Sequence, residues 1–375
     1  MIESERKLAV KIARIDAVPL RIPFDHGGRP AGWGGKPWRA LDMLLVRVET
    51  DGGIVGWGEA FGYNCRRAVQ AALEDMIAPV VVGRDATDIV RLMHELQQGL
   101  HLFGRYGITM FALSGLDIAL WDIAAKSAGV PLCRLFGGAA RGEIPGYASL
   151  FKYNDPERAA ERTEAALAEG YGYVKLHETS EPEVKAAREA AGGGVPIMLD
   201  ANCPWTPAAA REMARRLKPY DLHWLEEPIF PPEDFRALAR LQAETGIPLA
   251  AGENACTAFQ FHEMFAAGAV AYAQPSVTKV GGVTEFRKVA ALAETNDVAL
   301  MPHSPYFGPG LLATLHLMAA HPDRGLVEWL YVRREACLYG DAIAPNQGVF
   351  RVPEEPGLGA EPDPDVIGDY TVADS

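Results

Sequence analysis

Cysteine is scarce in this chain and poorly placed for cross-linking. The five residues (Cys65, Cys133, Cys203, Cys256 and Cys337) are odd in number, scattered over 375 positions and never form a C-x-x-C pair. Neither a disulfide framework nor a thiolate zinc site is expected. Basic residues are outnumbered, with 36 Lys and Arg against 49 Asp and Glu, a formal net charge of −13. Nucleic acid needs a basic surface and is excluded as the main partner. An anionic small molecule is not excluded, because one local cation or metal can dominate a site. No run of about 18 uncharged apolar residues is present to cross a bilayer. The opening MIESERKLAVKIARIDAVPL mixes charges into every short apolar run, unlike a secretory signal, so a cytoplasmic protein without a membrane partner is expected. What remains is an ordinary folded composition, 49% hydrophobic and 23% charged, long enough for one large domain or two.

The first third reads as α+β. Alternating runs at Ile15–Ile22 and Met43–Glu49 flank a Gly-rich loop, His26–Lys36, and Asp51-Gly52-Gly53 supplies a hairpin turn before Ile54–Glu59. Helical periodicity follows at Ala68–Ala78 and over the apolar stretch Gly107–Ala128, which stops at Gly129 with Pro131 beyond. From about residue 143 the pattern repeats. Short apolar runs recur at Ile144–Leu150, Gly172–His177, Pro196–Asp200, Leu222–Glu226, Pro248–Glu253, Ala271–Ser276, Val298–His303 and Leu326–Leu330, with starts 23 to 28 residues apart. That spacing is a strand, a helix and two short loops. Between the runs, Asp155-Pro156, Thr206-Pro207 and Pro232-Glu233-Asp234 carry helix-start chemistry, and Gly170, Gly246 and Gly268 sit where left-handed caps end helices. Eight such units predict a closed (β/α)8 barrel, with an open doubly wound sheet as the alternative.

The chemistry stands at the C-terminal ends of these strands, the rim where barrel enzymes build their sites. Reading along, the ends carry Lys175 and His177, Asp200, Glu226 with Glu227, Glu253, Ser276 with Lys279, His303, and Glu328. A polar residue before a turn is common at any one strand end, but ionisable groups at nearly every end would converge in one mouth. Asp200, Glu226 and Glu253 end three consecutive strands, and three close anions repel in a low dielectric. A divalent cation resolves this, and an all-oxygen set without Cys or His suits a hard ion such as Mg²⁺. Lys175 and His177 are two apart, so both face the barrel interior, where a lysine beside another cationic group is easier to deprotonate. His303 falls five strands later, across the mouth, making two acid/base candidates either side of a metal. Glu328 on the last strand reaches the substrate carboxylate if protonated.

These residues resemble the mandelate racemase and muconate-lactonizing group of the enolase superfamily, whose Lys or His bases with Mg²⁺ are a worked example of acid/base tuning. The resemblance covers nearly the whole chain. IVGWGEA at Ile54–Ala60 looks like the family's capping-domain hairpin, and Ala112–Gly138 is similar to its domain-joining segment. MLDAN, WLEEP and AGEN resemble the metal-ligand strands, and QPSVTKVGGVTE and MPHS those of the distal acid/base group. The resemblance implies residues 1–138 as an α+β capping domain, 139–350 as the barrel, and 351–375 returning to the capping domain. It further implies Mg²⁺ on Asp200, Glu226 and Glu253, a small carboxylate substrate that loses its α-proton to give an enediolate, and a homo-oligomer.

Two departures shape the expected reaction. The family's Lys-x-Lys is here Lys175-Leu176-His177, making His177 the base and Lys175 the electrophile on the carboxylate side. The distal histidine usually pairs with an Asp one strand earlier, where this chain has Ser276, so His303 lacks the carboxylate that would orient it. It is then a weaker base but a serviceable acid, which favours dehydration of a sugar acid to a 2-keto-3-deoxy acid. Lys279 sits where the muconate-lactonizing subgroup places a catalytic lysine and competes for the distal role. A racemase or epimerase, a cycloisomerase, and a non-catalytic barrel that binds metal and acid stay open. For the substrate itself the candidates are Asn202, Ser276, and Trp33 and Arg39 in the loop His26–Arg39. Arg29, Lys36 and Trp38 share that loop. Tyr63, Arg105, Tyr106 and the loop Pro305–Gly310 are further wall candidates whose direction the sequence leaves open.

Overall fold

The alternating runs near the N-terminus build an antiparallel meander in this computed structural model, which describes residues 10–29, 32–33, 36–322 and 325–373. Ile12–Asp25 pairs with Ala40–Thr50, which pairs in turn with Val55–Ala60. The connecting turn needs Gly53, whose φ is +82°. The helix Ile108–Ala128 lies across this sheet. Contact there is so close that a Cβ on Gly58 would stand 1.9 Å from the Gly115 carbonyl oxygen, which accounts for a glycine at each place. By length and composition this helix could cross a membrane, but 78% of its most apolar window is buried inside the protein. It is a core helix.

Two buried acids on that helix tie the parts together. Asp117 accepts hydrogen bonds from the Thr284 amide (2.9 Å) and hydroxyl (2.5 Å) on a barrel helix. Asp122 accepts from the Trp57 amide in the capping sheet (2.9 Å) and from the Leu358 amide in the C-terminal stretch (2.8 Å). The C-terminal stretch also crosses back to the capping sheet at Arg333–Arg334, which pairs beside Phe24, and at Thr371, which bridges Leu20. The helix expected at Ala68–Ala78 lies within Arg66–Val81 and contains a π-helical turn at Ala72–Ile77. A further helix, Ile89–Gly99, was missed although Ile89, Leu92, Met93 and Leu96 recur at helical spacing and form its buried face.

All eight repeated runs are strands of one parallel curled sheet: Glu143–Ser149, Val174–Leu176, Ile197–Asp200, Leu222–Glu226, Leu249–Ala251, Tyr272–Ala273, Ala299–Leu300 and Val327–Leu330. Each pairs with the next in chain order as far as the seventh, and the eighth pairs with the first. Side chains bridge the seam between the seventh and eighth. Ser304 Oγ accepts from the Glu328 amide (3.1 Å) and donates to its carbonyl (3.2 Å), and the Leu326 amide donates to Met301 Sδ (3.2 Å). Helix starts follow the expected chemistry. Asp155, Thr206 and Asp234 each accept first-turn amide hydrogens, and Gly170, Gly246 and Gly268 take positive φ.

Candidate active site

Of the strand ends named as ionisable, all but Glu227 lie in or just beneath the mouth of the barrel. A cavity of about 400 Å³ opens there, with His177, Asp200, Glu253, Lys279, His303 and Glu328 in its wall. Its size is that of a small-molecule site. A second cavity of about 270 Å³ lies beside it and takes only Glu227 and Asn254 from this polar cluster.

Lys175 lies under the floor, fully buried, with Nζ 2.9 Å from both Glu226 Oε1 and Glu328 Oε1 and 3.7 Å from Asp200 Oδ2. Burial alone would favour its neutral form, but Glu226 and Glu328 win and push its pKa well above the ordinary value. The expectation of an easily deprotonated lysine is therefore corrected: the neighbours that decide its state are carboxylates. The same contacts correct Glu328. Its Oε1 also accepts from Ser149 Oγ (2.7 Å) and its Oε2 from the Ser304 amide (3.1 Å). Against the cost of burial, Lys175 and then His303 hold its pKa below the usual range, so it is an ionised acceptor and not a protonated donor.

The three carboxylates of adjacent strands are buried together. Glu226 is pushed up to about 8, by burial first and by the charge of Asp200 second. Asp200 and Glu253 stay ionised despite burial, Asp200 through a hydrogen bond from His177 and the charge of Lys175, Glu253 through His303 and Lys279. Each carboxylate is turned onto a neighbouring donor: Asp200 Oδ2 lies 3.3 Å from His177 Nε2, Glu226 Oε2 accepts from Trp224 Nε1 (2.9 Å), and Glu253 Oε2 lies 2.5 Å from His303 Nε2. Among the described residues no group of three His, Cys, Asp or Glu side chains stands as a ready-made metal cage. The donor chemistry nonetheless fits a hard cation, since Asp200 and Glu253 line the cavity, Glu226 lies just beneath them, and burial with the charge of Asp200 keeps Glu226 from ionising easily.

The two histidines flank this cluster and are held differently. His177 Nδ1 donates to the Leu150 carbonyl (2.6 Å), which aims Nε2 at Asp200. Although burial opposes it, the hydrogen bond to Asp200 raises the pKa of His177. His303 was expected to lack an orienting partner. It has one, because Nδ1 lies 3.2 Å from the Tyr306 hydroxyl, which in turn contacts Ser276 Oγ. Lys279 reaches the same side, with Nζ 4.0 Å from Glu253 Oε1 and 4.8 Å from the centre of the Phe61 ring.

The substrate candidates divide. Asn202 lines the cavity, its amide bonded to Asp200 Oδ1 (2.8 Å). Ser276 is fully buried behind His303 and Tyr306 and does not reach the wall. Arg39 is exposed and also off the wall, and the Trp33 side chain lies outside the described residues. Tyr63 lines the cavity and donates its hydroxyl to the Pro305 carbonyl, whereas Arg105 lies over Phe259 and Tyr106 lines the smaller cavity. Sequence reasoning missed the aromatic wall of Phe61, Phe111 and Phe151; of the loop Pro305–Gly310, expected in the wall, Pro305 lines the cavity and Tyr306 stands behind His303 instead. The spacing MPHSPY was the one available hint of Tyr306, since it stands three residues after His303.

Fold and site together define a barrel enzyme with a carboxylate cluster between two histidines, roofed by an α+β cap. Residues 38–137 match the mandelate racemase / muconate lactonizing enzyme N-terminal domain, and residues 158–366 match the enolase C-terminal domain-like family. The chain belongs to the mandelate racemase / muconate lactonizing enzyme family of the enolase superfamily. It is 35% identical to a 3,6-anhydro-α-L-galactonate cycloisomerase of Streptomyces coelicolor over 342 residues, 88% of this chain and 92% of that one. It is 32% identical to an arabinonate dehydratase of Saccharolobus solfataricus over 332 residues, 85% and 88% of the two chains. Among solved structures, a racemase from Streptomyces coelicolor A3(2) with bound magnesium superposes with a TM-score of 0.85 at 31% identity, covering 96% of this chain and all of that one.

Proposed function

We propose that this protein removes the α-proton of a sugar acid and then expels the oxygen on the neighbouring carbon, giving a 2-keto-3-deoxy acid in a Mg²⁺-dependent reaction. Asp200, Glu226 and Glu253 would hold the ion. Bound there, it would supply positive charge to offset the negative charge that develops on the substrate carboxylate as the enediolate forms.

His177 is the base. The Leu150 carbonyl fixes its Nδ1–H, so Nε2 is the atom that takes the proton from carbon. Asp200 now favours a proton on Nε2, and a carboxylate whose charge is spent on a cation no longer retains it there. His303, on the opposite side, is the acid and gives its Nε2 proton to the departing oxygen. When that oxygen is a hydroxyl, it leaves as water and the reaction is a dehydration. When it is a ring oxygen, it stays on the product and the reaction is an isomerisation. Both kinds of enzyme stand among the relatives. Lys175 keeps Glu226 and Glu328 in register from beneath, and Asn202 offers its side-chain carboxamide to a substrate hydroxyl.

The observation that carries this reading is the placement of His177 and His303 against opposite members of the carboxylate cluster, at Asp200 and Glu253. The test is incubation of the purified chain with Mg²⁺ and D-galactonate, arabinonate or 3,6-anhydro-L-galactonate in D₂O. The expected result is 2-keto acid formation. No keto acid and no α-deuterium with any sugar acid would remove it. One observation favours a second reading: Lys279 lines the distal wall beside Glu253, where it could replace His303 and return the proton to carbon, which is epimerisation. Full activity in His303→Asn with none in Lys279→Met would establish that exchange of roles.

A further inference from the structure

Where the family's pattern would place a carboxylate behind the distal histidine, this chain has Ser276, and a serine hydroxyl there is too short to reach His303 itself. The gap is filled from another element. Tyr306 stands three residues after His303, is 2% exposed, and puts its hydroxyl 3.2 Å from His303 Nδ1. Ser276 Oγ meets the same hydroxyl from the other side, and Thr278 Oγ1 lies 3.5 Å beyond Ser276. Both are fully buried. The tyrosine ring is itself clamped. It lies edge-on to the imidazole (centroids 5.8 Å, planes 81° apart) and 6.3 Å from Tyr63, whose hydroxyl holds the Pro305 carbonyl just before it.

We propose that Tyr306, seated by Ser276, is the positioning residue of His303, taking by a phenol on the same loop the part a carboxylate on the preceding strand would play. The inference rests on the reading of His303 as the distal acid. An imidazole held only through Cβ can rotate about two bonds, and Nε2 reaches a departing oxygen in few of those orientations. A hydrogen bond at Nδ1 removes the others. The phenol does this without placing a negative charge behind the ring. From the cavity side Glu253 Oε2 meets Nε2 at 2.5 Å, so Tyr306, which is behind His303 and not among the lining residues, is the partner that fixes Nδ1.

The test separates orientation from folding. In the full chain with Mg²⁺, Tyr306→Phe keeps the ring and its packing and loses only the hydroxyl. The three sugar acids named above are followed in D₂O for keto acid and for α-deuterium in recovered substrate. Keto acid formation is expected to fall by about 10- to 100-fold, the usual cost of losing a partner behind a functional histidine, with KM little changed. Removal of the α-proton by His177 should survive, so deuterium should accumulate relative to product. Ser276→Ala should shift the same ratio less, and Ser276→Thr, which keeps a hydroxyl, should restore it. A Tyr306→Phe enzyme with the wild-type rate, or one losing exchange and elimination in equal proportion, overturns the proposal.

A second measurement needs no turnover. In ¹⁵N-histidine-labelled protein with Mg²⁺, the ring signals of His303, assigned by their loss in His303→Asn, should move in Tyr306→Phe while those of His177 stay. If they do not move, the positioning role fails whatever the reaction is. If they move but no sugar acid exchanges its α-proton, the reaction class fails and the positioning role stands.

Discussion

Replacing Lys175 by Met removes the cation beneath the carboxylate cluster while keeping a side chain of similar length. In the native protein Nζ contacts Glu226 and Glu328 at 2.9 Å and Asp200 at 3.7 Å, with none of these groups more than 2% exposed. Removing one partner of a buried ion pair costs about 3–5 kcal/mol. For a chain of this length that is a fall in melting temperature on the order of 5 °C. The loss should depend on pH, because buried carboxylates without a counter-ion relieve themselves by taking up protons. Glu226 already titrates at about 8 with Lys175 present. In the variant Glu226 and Glu328 are both raised above the unfolded carboxylate value, so the folded state binds more protons than the unfolded one. Stability is then retained below about pH 4.5 and falls as pH rises through the folded values. Thermal melts of both proteins in EDTA at pH 5.5 and pH 8 should show a small deficit at the lower pH and the full one at the higher, and Mg²⁺ should recover part of it. Equal melting of variant and wild type at pH 8 would refute the argument, since the three carboxylates would not then depend on Lys175.

Asp200→Ala, Glu226→Ala and Glu253→Ala are each expected to abolish turnover and weaken Mg²⁺ binding, read by calorimetric titration; full activity after chelation would sink the metal reading. His177→Asn and His303→Asn should keep the circular dichroism spectrum and lose at least about 100-fold in rate, the scale of a missing acid/base group. His177→Asn should also lose α-deuterium exchange. Glu59, buried and accepting from the Gly310 amide (2.9 Å), is raised to about 7 by burial, so its folded state favours the proton and its contribution to stability is lost as pH climbs from about 4.5 through 7. Glu59→Gln should therefore melt higher than wild type at pH 8, by about 3 kcal/mol at most, and match it near pH 4.5.

The barrel was legible because its signal is period and spacing, both local. Eight apolar runs at a helix-plus-strand interval leave few alternatives, and the caps at Asp155, Thr206 and Asp234 bond as their sequence context requires. The capping hairpin was legible for the same reason, through Asp51-Gly52-Gly53. The helix Ile89–Gly99 was equally local, with Ile89, Leu92, Met93 and Leu96 at helical spacing, and was overlooked. What could not be read was non-local. The barrel seam at Ser304 and Glu328 depends on side chains 24 residues apart.

For the site, the residues at strand ends converged as their register requires, because a parallel barrel puts every C-terminal end on one rim. Their protonation was the harder question. Lys175 has both a histidine and three carboxylates within reach, and the sequence makes the histidine look decisive because it is two positions away. In space the carboxylates are nearer, and Coulomb energy follows distance and not chain separation. Glu328 changed from donor to acceptor by the same reasoning, since Lys175, Ser149 and Ser304 all donate to it.

His303 shows where strand-by-strand reading stops. A carboxylate one strand earlier is a sequence feature that can be looked for, and its absence at Ser276 was taken to leave the histidine loose. The partner came from the loop that follows His303, where backbone direction depends on how the cap closes over it: Glu59 of the capping sheet holds the Gly310 amide, and Tyr63 holds the Pro305 carbonyl. His303 is thus held by contacts that run through residues 305–310 to Glu59 and Tyr63 as well as by the barrel that carries it. Loosening that clamp, by Tyr63→Phe for instance, should disturb His303 through Tyr306 without touching any strand of the barrel.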